Sequence, residues 1–180
     1  MKKEFVKLAG ILCAITLVAA LLLACVNKIT APEIEKAAQK ASEDAMKTIL
    51  PAEKYEVVEG KENVFRAING SDVIGYCVTV SVTGFGGPIE MMVGIGSDNV
   101  VKGIEILSHS ETAGLGAKAD TDEFKARFVR KNPDLTVTKQ PTEDIAEVQA
   151  ITGATITSRA VAEGVKQAGE IINEIEGGDK

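Results

Sequence analysis

The sequence predicts an α+β protein in which an apolar N-terminal helix precedes a domain built on an antiparallel sheet. Three observations support this prediction. The run from Leu8 to Asn27 is apolar at nearly every position and carries no charge. Residues 73–82 alternate between larger apolar and smaller side chains, as a half-buried strand does, and residues 157–175 carry apolar side chains at helical spacing. Strands that precede helices without regular βαβ alternation are typical of α+β folds.

The composition excludes several classes of protein. At 180 residues the chain has room for one domain and an additional segment. Its formal net charge of −6 argues against nucleic-acid binding, which requires a basic face to neutralise phosphates. Cys77 is the only cysteine outside the apolar run, and His109 is the only histidine of the chain. We therefore expect neither a disulfide within the domain nor a metal ion bound by the protein.

The apolar run predicts a transmembrane helix. Its length, from Leu8 to Asn27, spans about 30 Å as a helix, which matches the hydrocarbon core of a bilayer. Lys2, Lys3 and Lys7 precede the run. The positive-inside rule then predicts a single-pass protein of the cytoplasmic membrane, with a cytoplasmic N-terminus and the following domain on the extracytoplasmic side.

Two alternatives remain open for this segment. A cleaved signal peptide would end at a small-residue site after a shorter apolar core. Leu22-Leu23-Ala24-Cys25 resembles the cleavage box of bacterial lipoproteins, in which Cys25 would be lipidated. The full bilayer length of the run favours the uncleaved helix, and all three interpretations place the domain outside the cytoplasm.

A second helix is expected from Ala31 to Leu50. Thr30 can act as its N-cap, and Pro32 suits its first turn. The predicted division of the chain is a membrane anchor at 1–28, a linking helix at 29–50 and a folded domain at 51–180.

The folded domain begins with a β-rich region. Residues 73–82 form the clearest strand, and Cys77 falls on its less apolar face. Residues 89–96 and 100–107 flank the turn Ser97-Asp98-Asn99, which predicts a β-hairpin.

Helices and one further strand are predicted in the second half of the domain. A short helix is expected over 120–130, where Asp120 and Glu123 resemble a capping box and Phe124 and Phe128 share the buried face. Residues 135–139 suit a strand, and the last helix is expected over 157–175. The apolar residues at helical spacing in that helix are Val161, Val165, Ala168, Ile172 and Ile175.

Two glycine-rich loops are candidate ligand sites. Residues 84–88 and 109–116 either only connect elements or hold a ligand against an open backbone and polar side chains. A catalytic pair of His109 and Ser110 is not expected, because adjacent residues seldom point at each other and the chain has no second histidine as an alternative base.

A third candidate is the stretch Ile151–Ala160, which reads ITGATITSRA. Thr152 or Thr155 could simply cap a helix. Alternatively, the free N–H groups at the helix start could bind a phosphate, to which Gly153 and Ala154 would give access.

These stretches resemble motifs of bacterial proteins that carry covalently bound FMN. In that family a flavin transferase esterifies the FMN phosphate to the last threonine of a [Ser/Thr]-Gly-Ala-Thr-x-x-[Thr/Ser] motif, and Thr152-Gly-Ala-Thr155 matches it with Thr155 at the ester position. The loop 109–116 resembles the family's Glu-Thr-x-Gly-Leu-Gly signature, which lies beside the isoalloxazine ring, and 84–88 also matches a family segment.

Among such proteins the chain is similar to the G subunits of the Rnf complex, an ion-translocating ferredoxin:NAD oxidoreductase. The C subunit of the sodium-translocating NADH:quinone reductase shares both motifs but is usually longer. The resemblance implies an electron-transfer subunit whose FMN, on Thr155, relays electrons between membrane-bound carriers while the assembled complex pumps ions. The chain would then be a redox subunit rather than a catalyst alone, and its partners would be other subunits, a flavin transferase and the membrane.

The resemblance also implies residue roles. Thr155 would be the anchor, and hydroxyls at the helix start would hydrogen-bond the phosphate. Glu111 and Thr112 would contact the polar edge of the flavin, Leu115 would pack on its ring, and His109 would have either a flavin contact or a surface role. The expected cofactor-binding residues are Thr152, Gly153, Ala154, Thr155, Thr157, Ser158, Glu111, Thr112, Leu115 and Gly116.

One position departs from the family pattern, and two other functions remain open. The family usually has an aspartate three residues before the first motif threonine, where this chain has Gln149. We therefore expect slower flavinylation or a tolerant transferase. The other functions are a free-standing extracytoplasmic flavoprotein, lipid-anchored through Cys25, and a binding lipoprotein without a cofactor.

Overall fold

The computed structural model describes the backbone of residues 2–178 and the side chains of residues 6–177. Met1 and residues 179–180, which belong to the predicted anchor and domain, lie outside the described residues. So do the side chains of Lys2 and Lys3, on which the predicted orientation partly rests. The chain divides into two compact units, residues 1–40 and residues 41–180.

Helix α1 extends from Lys2 to Ile49. Within the described residues it is the one helix that is long and apolar enough to cross a membrane. The predicted helix start at Thr30 is wrong, because the Thr30 hydroxyl donates to the Val26 carbonyl oxygen at 3.0 Å, one turn back in the same helix. Pro32 lies inside α1. Proline is accepted in a first helical turn and in some helix interiors, so its presence alone did not locate a boundary.

Five antiparallel strands form the central sheet, in the order β1-β2-β3-β4-β5. Their bounds are β1 Lys54–Val58, β2 Lys61–Asn69, β3 Asp72–Thr83, β4 Pro88–Gly96 and β5 Val101–His109. Each strand pairs with the next one along the chain. The predicted α+β fold with an antiparallel sheet is confirmed, as is the β4–β5 hairpin, whose turn contains Asn99 at a φ of 56°.

Short elements and a long helix follow the sheet. They are a 3₁₀ turn at Gly116–Asp120, α2 at Asp122–Ala126, β6 at Thr136–Thr138, β7 at Glu147–Gln149 and α3 at Thr155–Gly178. Strands β6 and β7 pair in parallel as a separate two-stranded sheet. The sequence did not predict β7, because three residues are too few to show a period.

The predicted helix over 120–130 is partly wrong. Asp120 ends the 3₁₀ turn, so no capping box forms with Glu123, which instead pairs with Arg127 at 2.7 Å. The buried aromatic pair is confirmed: Phe124 and Phe128 are almost fully buried and meet edge to face, with ring centroids 5.2 Å apart.

The two faces of the central sheet are covered by different helices. On one face α3 packs with its buried residues Val161, Val165, Ala168 and Ile172. On the other face the last turns of α1 pack over Cys77, which is fully buried. The strand face that the sequence indicated as less apolar is therefore also a core face. Burial raises the pKa of the Cys77 thiol to about 12.

Candidate functional site

A cavity of about 350 Å³ lies between three segments that are distant in sequence. This volume falls in the range of about 300–1,000 Å³ that is typical of small-molecule sites. The residues that line it are Phe85, Glu111, Thr112, Leu115, Gly116, Gly153, Ala154, Thr155, Ile156 and Thr157. The fold thus brings together the three stretches that the sequence indicated as candidates.

Most of the predicted site residues lie in the wall of this cavity, and two do not. Thr152 is exposed just before the wall, and Ser158 is fully buried behind it. His109 is half-buried outside the wall, where its Nδ1 accepts a hydrogen bond from the Glu111 backbone N–H at 3.2 Å. Sequence reasoning did not single out Phe85, in the loop 84–88, or Ile156, in the first turn of α3, although both are large apolar residues among small and polar ones.

A tight turn leads the chain into α3. Gly153 has a φ of +83°, a conformation that residues with a side chain rarely adopt. The hydroxyl of Ser158 donates to the Ala154 carbonyl oxygen and accepts from the Ile151 N–H, each at 2.9 Å. Ser158 therefore holds the turn together from inside the protein.

The start of α3 brings the first backbone N–H groups of the helix to the cavity wall. The first backbone N–H groups of a helix have no partner within the helix, and they form the positive end of its dipole. Hydroxyl hydrogen bonds at this helix start come from Thr157 and Ser158. Within residues 6–177, the hydroxyls of Thr152 and Thr155 make none, so the side-chain cap that either threonine could have supplied is not formed. Thr155 is half-buried in the cavity wall with its hydroxyl available.

Glu111 contributes a buried carboxylate to the same wall. The residue is 8% exposed. Its Oε1 accepts from the Gly86 N–H at 2.9 Å, and its Oε2 accepts from the Thr157 hydroxyl at 2.7 Å. Burial alone would raise the pKa of this carboxyl, but hydrogen bonds from Thr157, Gly86 and Phe85 hold the pKa below its ordinary value. Glu111 is therefore negatively charged at neutral pH.

Large apolar side chains surround the cavity. Phe85, Leu115 and Ile156 are 69%, 46% and 56% exposed, respectively. Because Gly153 has no side chain, the turn before α3 can approach the loop 109–116: a Cβ at Gly153 would lie 3.3 Å from Leu115 Cδ2. Exposed apolar groups beside a few polar ones are typical of a site for a flat organic ligand. The arrangement can hold an apolar ring system at one end and an anion at the helix start.

Two family models match the chain. The model of the RnfG N-terminal region matches residues 1–49, and the model of the FMN-binding domain matches residues 84–170. The second match contains every residue that lines the cavity.

Several curated proteins are similar over nearly the whole chain. The G subunit of the proton-translocating ferredoxin:NAD(+) oxidoreductase complex of Clostridium ljungdahlii is 36% identical over 89% of this chain and 88% of its own. The G subunit of the Na(+)-translocating complex of Acetobacterium woodii is 35% identical over 92% and 90%. The G subunit of the ion-translocating oxidoreductase complex of Methanosarcina acetivorans is 35% identical over 97% and 98%.

Solved structures confirm the fold. Shewanella oneidensis NqrC superposes with a TM-score of 0.51 at 20% identity, over 68% of this chain and 66% of its own. The C subunit of the Na(+)-translocating NADH-quinone reductase from Parabacteroides distasonis superposes with a TM-score of 0.52 at 27% identity, over 60% of each chain. The match spans only about 60–66% of each of these two proteins. The two structures therefore support the architecture of the folded domain.

Proposed function

Because the chain belongs to the family of G subunits of ion-translocating ferredoxin:NAD(+) oxidoreductase complexes, we propose that it is the FMN-carrying electron-transfer subunit of such a complex. Family membership and the apolar helix α1 together indicate a membrane protein. We further propose the orientation that the basic N-terminus favours, with the flavin domain on the extracytoplasmic side.

The cavity fits FMN in three respects. Its apolar rim offers surface for a ring system, and its helix start offers backbone donors for a phosphate. Thr155 offers a hydroxyl that has no hydrogen-bond partner within the described residues. Bound FMN supplies the electron chemistry, while the protein supplies position and electrostatic environment. Among the wall residues, Leu115 would pack against the ring, and the exposed Thr112 would bond its polar edge.

We propose that the flavin is held covalently through Thr155. The Thr155 Oγ attacks the flavin phosphate of a nucleotide in which that phosphate is activated as a diphosphate ester. The Oγ–P bond forms, and the bond from phosphorus to the bridging oxygen of the diphosphate breaks. The second phosphate leaves with that oxygen as a phosphate monoester, and the hydroxyl proton passes to a base of the flavin transferase. Gly153 and Ala154 leave the approach to Oγ free of bulk. The observation that carries this proposal is the Thr155 hydroxyl in the cavity wall at the helix start, which has no hydrogen-bond partner within residues 6–177.

Gln149 lies just before this site, in β7. Its backbone carbonyl accepts a hydrogen bond from Arg127 Nη1 at 3.1 Å. Because a neutral amide stands where the family usually has an acid, we propose that a transferase modifies this chain more slowly than its relatives.

Mass spectrometry tests the attachment. The full chain is coexpressed with a flavin transferase, extracted in mild detergent and digested. We expect a mass increase of FMN minus water on the peptide that contains Thr155. Thr155→Val removes it, whereas the matched control Thr136→Val, at an exposed threonine of β6, retains it. Covalent flavin on Thr155→Val, or none on the wild-type chain, contradicts the proposed anchor.

Copurification tests the assignment to a complex. We expect other membrane subunits to accompany the chain from its native membrane in gentle detergent. A chain that purifies alone and carries flavin would instead be a free-standing flavoprotein.

A further inference from the structure

We propose that Glu111 is a positioning residue for flavin attachment: its carboxylate ties the first turn of α3 to the loop 84–88 and so fixes the Thr155 hydroxyl in the cavity wall. This inference rests on the proposed attachment at Thr155. It assigns Glu111 a different role from the flavin contact that the family resemblance implies.

The hydrogen bonds of Glu111 join three segments of the chain. One carboxylate oxygen holds the Gly86 N–H at 2.9 Å, and the other holds the Thr157 hydroxyl at 2.7 Å. Both oxygens therefore have donors from the protein itself. Hydrogen bonds to an ionised carboxylate are stronger than neutral ones, and this carboxylate is almost fully removed from water.

Glycines on both sides make room for this carboxylate. A Cβ at Gly84 would overlap Glu111 Oε1, and a Cβ at Gly116 would overlap Oε2. A Cβ at Gly86 would overlap the carbonyl oxygen of Ser110, the residue before Glu111. The glycines of both loops therefore allow the backbone to close around the Glu111 side chain.

Thr157 transmits this constraint to the reacting residue. It is 1% exposed and lies in the same first helical turn as Thr155. Because Thr155 makes no side-chain hydrogen bond of its own within the described residues, its place relative to the loops depends on the turn that carries it. Misplacement of a reacting atom by about 1 Å can cost about a hundredfold in rate, so loosening this turn should slow attack by Oγ.

The test is the initial rate of flavinylation of the purified full chain by a flavin transferase, followed by intact mass. We expect Thr157→Val, which keeps the shape but lacks the donor, to react at least about tenfold more slowly than wild type. Thr157→Ser keeps the donor and should stay within about threefold of the wild-type rate. Glu111→Asp keeps the charge but is one methylene too short to reach both partners, and it should also be at least about tenfold slower. The expected losses follow from displacement of the Thr155 Oγ when the first turn of α3 is no longer held to the loop.

The variants separate positioning from other effects. Thr157 is part of the motif that a transferase recognises, whereas Glu111 is far from this motif in sequence. A slow Glu111→Asp variant therefore indicates a changed position of the Thr155 hydroxyl rather than a loss of motif recognition. Far-UV circular dichroism checks each fold, and Glu111→Asp decides the outcome if Thr157→Val does not fold. Rates within twofold of wild type for both variants overturn the inference, as does a Thr157→Ser variant as slow as Thr157→Val. A wild-type chain that takes no flavin on Thr155 contradicts the proposed attachment instead.

Discussion

The contact of Ile49 with Gly94 provides a quantitative test of how the end of α1 packs on the sheet. A Cβ at Gly94 would overlap Ile49 Cγ2, whereas a Cβ at the neighbouring Gly103 would lie 3.4 Å from the same carbon, which is nearly ordinary contact. Gly94→Ala should therefore push Ile49 outward and cost about 1–3 kcal/mol of unfolding free energy. Ile49→Ala leaves a void and costs about 2–5 kcal/mol, toward the lower end because the helix end can settle closer to the sheet.

The double variant should be less destabilised than the sum of the two single variants. Ile49→Ala removes the Cγ2 that the new methyl group of Gly94→Ala would meet, so the expected coupling is at least about 1 kcal/mol, above the ~0.5 kcal/mol within which independent sites add. Urea unfolding of the full chain in detergent, monitored by circular dichroism at the sheet band, measures this coupling free energy. Gly103→Ala is the matched control and should cost less than Gly94→Ala. Additive losses at Ile49 and Gly94, or equal losses at the two glycines, would refute this packing.

Three further predictions concern the core, the buried acid and the buried thiol. Phe128→Ala should lower the unfolding free energy by about 3–5 kcal/mol in urea titrations, because a fully buried ring and its edge-to-face contact with Phe124 are lost. The pKa of Glu111 is lowered in the folded state, so its stabilising effect is complete above the unfolded value of about 4.3 and is lost as pH falls through the folded pKa. Urea midpoints between pH 6 and about 3 should fall more for wild type than for Glu111→Gln. Cys77, with a pKa of about 12, should resist alkylation at pH 8 in a chain that lacks Cys13 and Cys25, and should react once urea unfolds the domain; rapid labelling of the folded chain would contradict its burial.

Elements with a strong local pattern could be predicted from the sequence. The helical spacing of Val161, Val165 and Ile172 reflects burial on one face of α3. The alternation in β3 marks the strand face that α3 covers, although the other face of this strand is also buried. The continuity of α1 through Pro32 could not be predicted, since proline suits a first turn and enters a helix interior only with the loss of a backbone hydrogen bond. The burial of Cys77 was missed because it depends on the end of α1, which covers the second face of the sheet. The residue types of the strand do not indicate this packing.

The candidate site, too, could be predicted from the sequence only in part. Its three segments could be identified as candidates because glycines cluster in the loops 84–88 and 109–116, and small and hydroxylated residues cluster in 151–160. The partners within the site were not, because they depend on how distant segments meet. Thr157 and Ser158 look equivalent in the sequence, yet one hydroxyl reaches Glu111 while the other closes the turn before α3.

The glycines of the two loops illustrate why residue type alone leaves a site ambiguous. A glycine that only gives a ligand access should accept alanine in the flavin-free chain, because the space beside it is then empty. Gly116 does not have that space: a Cβ there would overlap Glu111 Oε2 and lie 2.8 Å from the Thr157 hydroxyl oxygen. Gly116→Ala should therefore lower the urea midpoint of the flavin-free chain, by a loss of about 1–3 kcal/mol that is typical of overpacking. Unchanged stability would mean that the carboxylate can move aside, and the glycine would then be explained by the ligand alone.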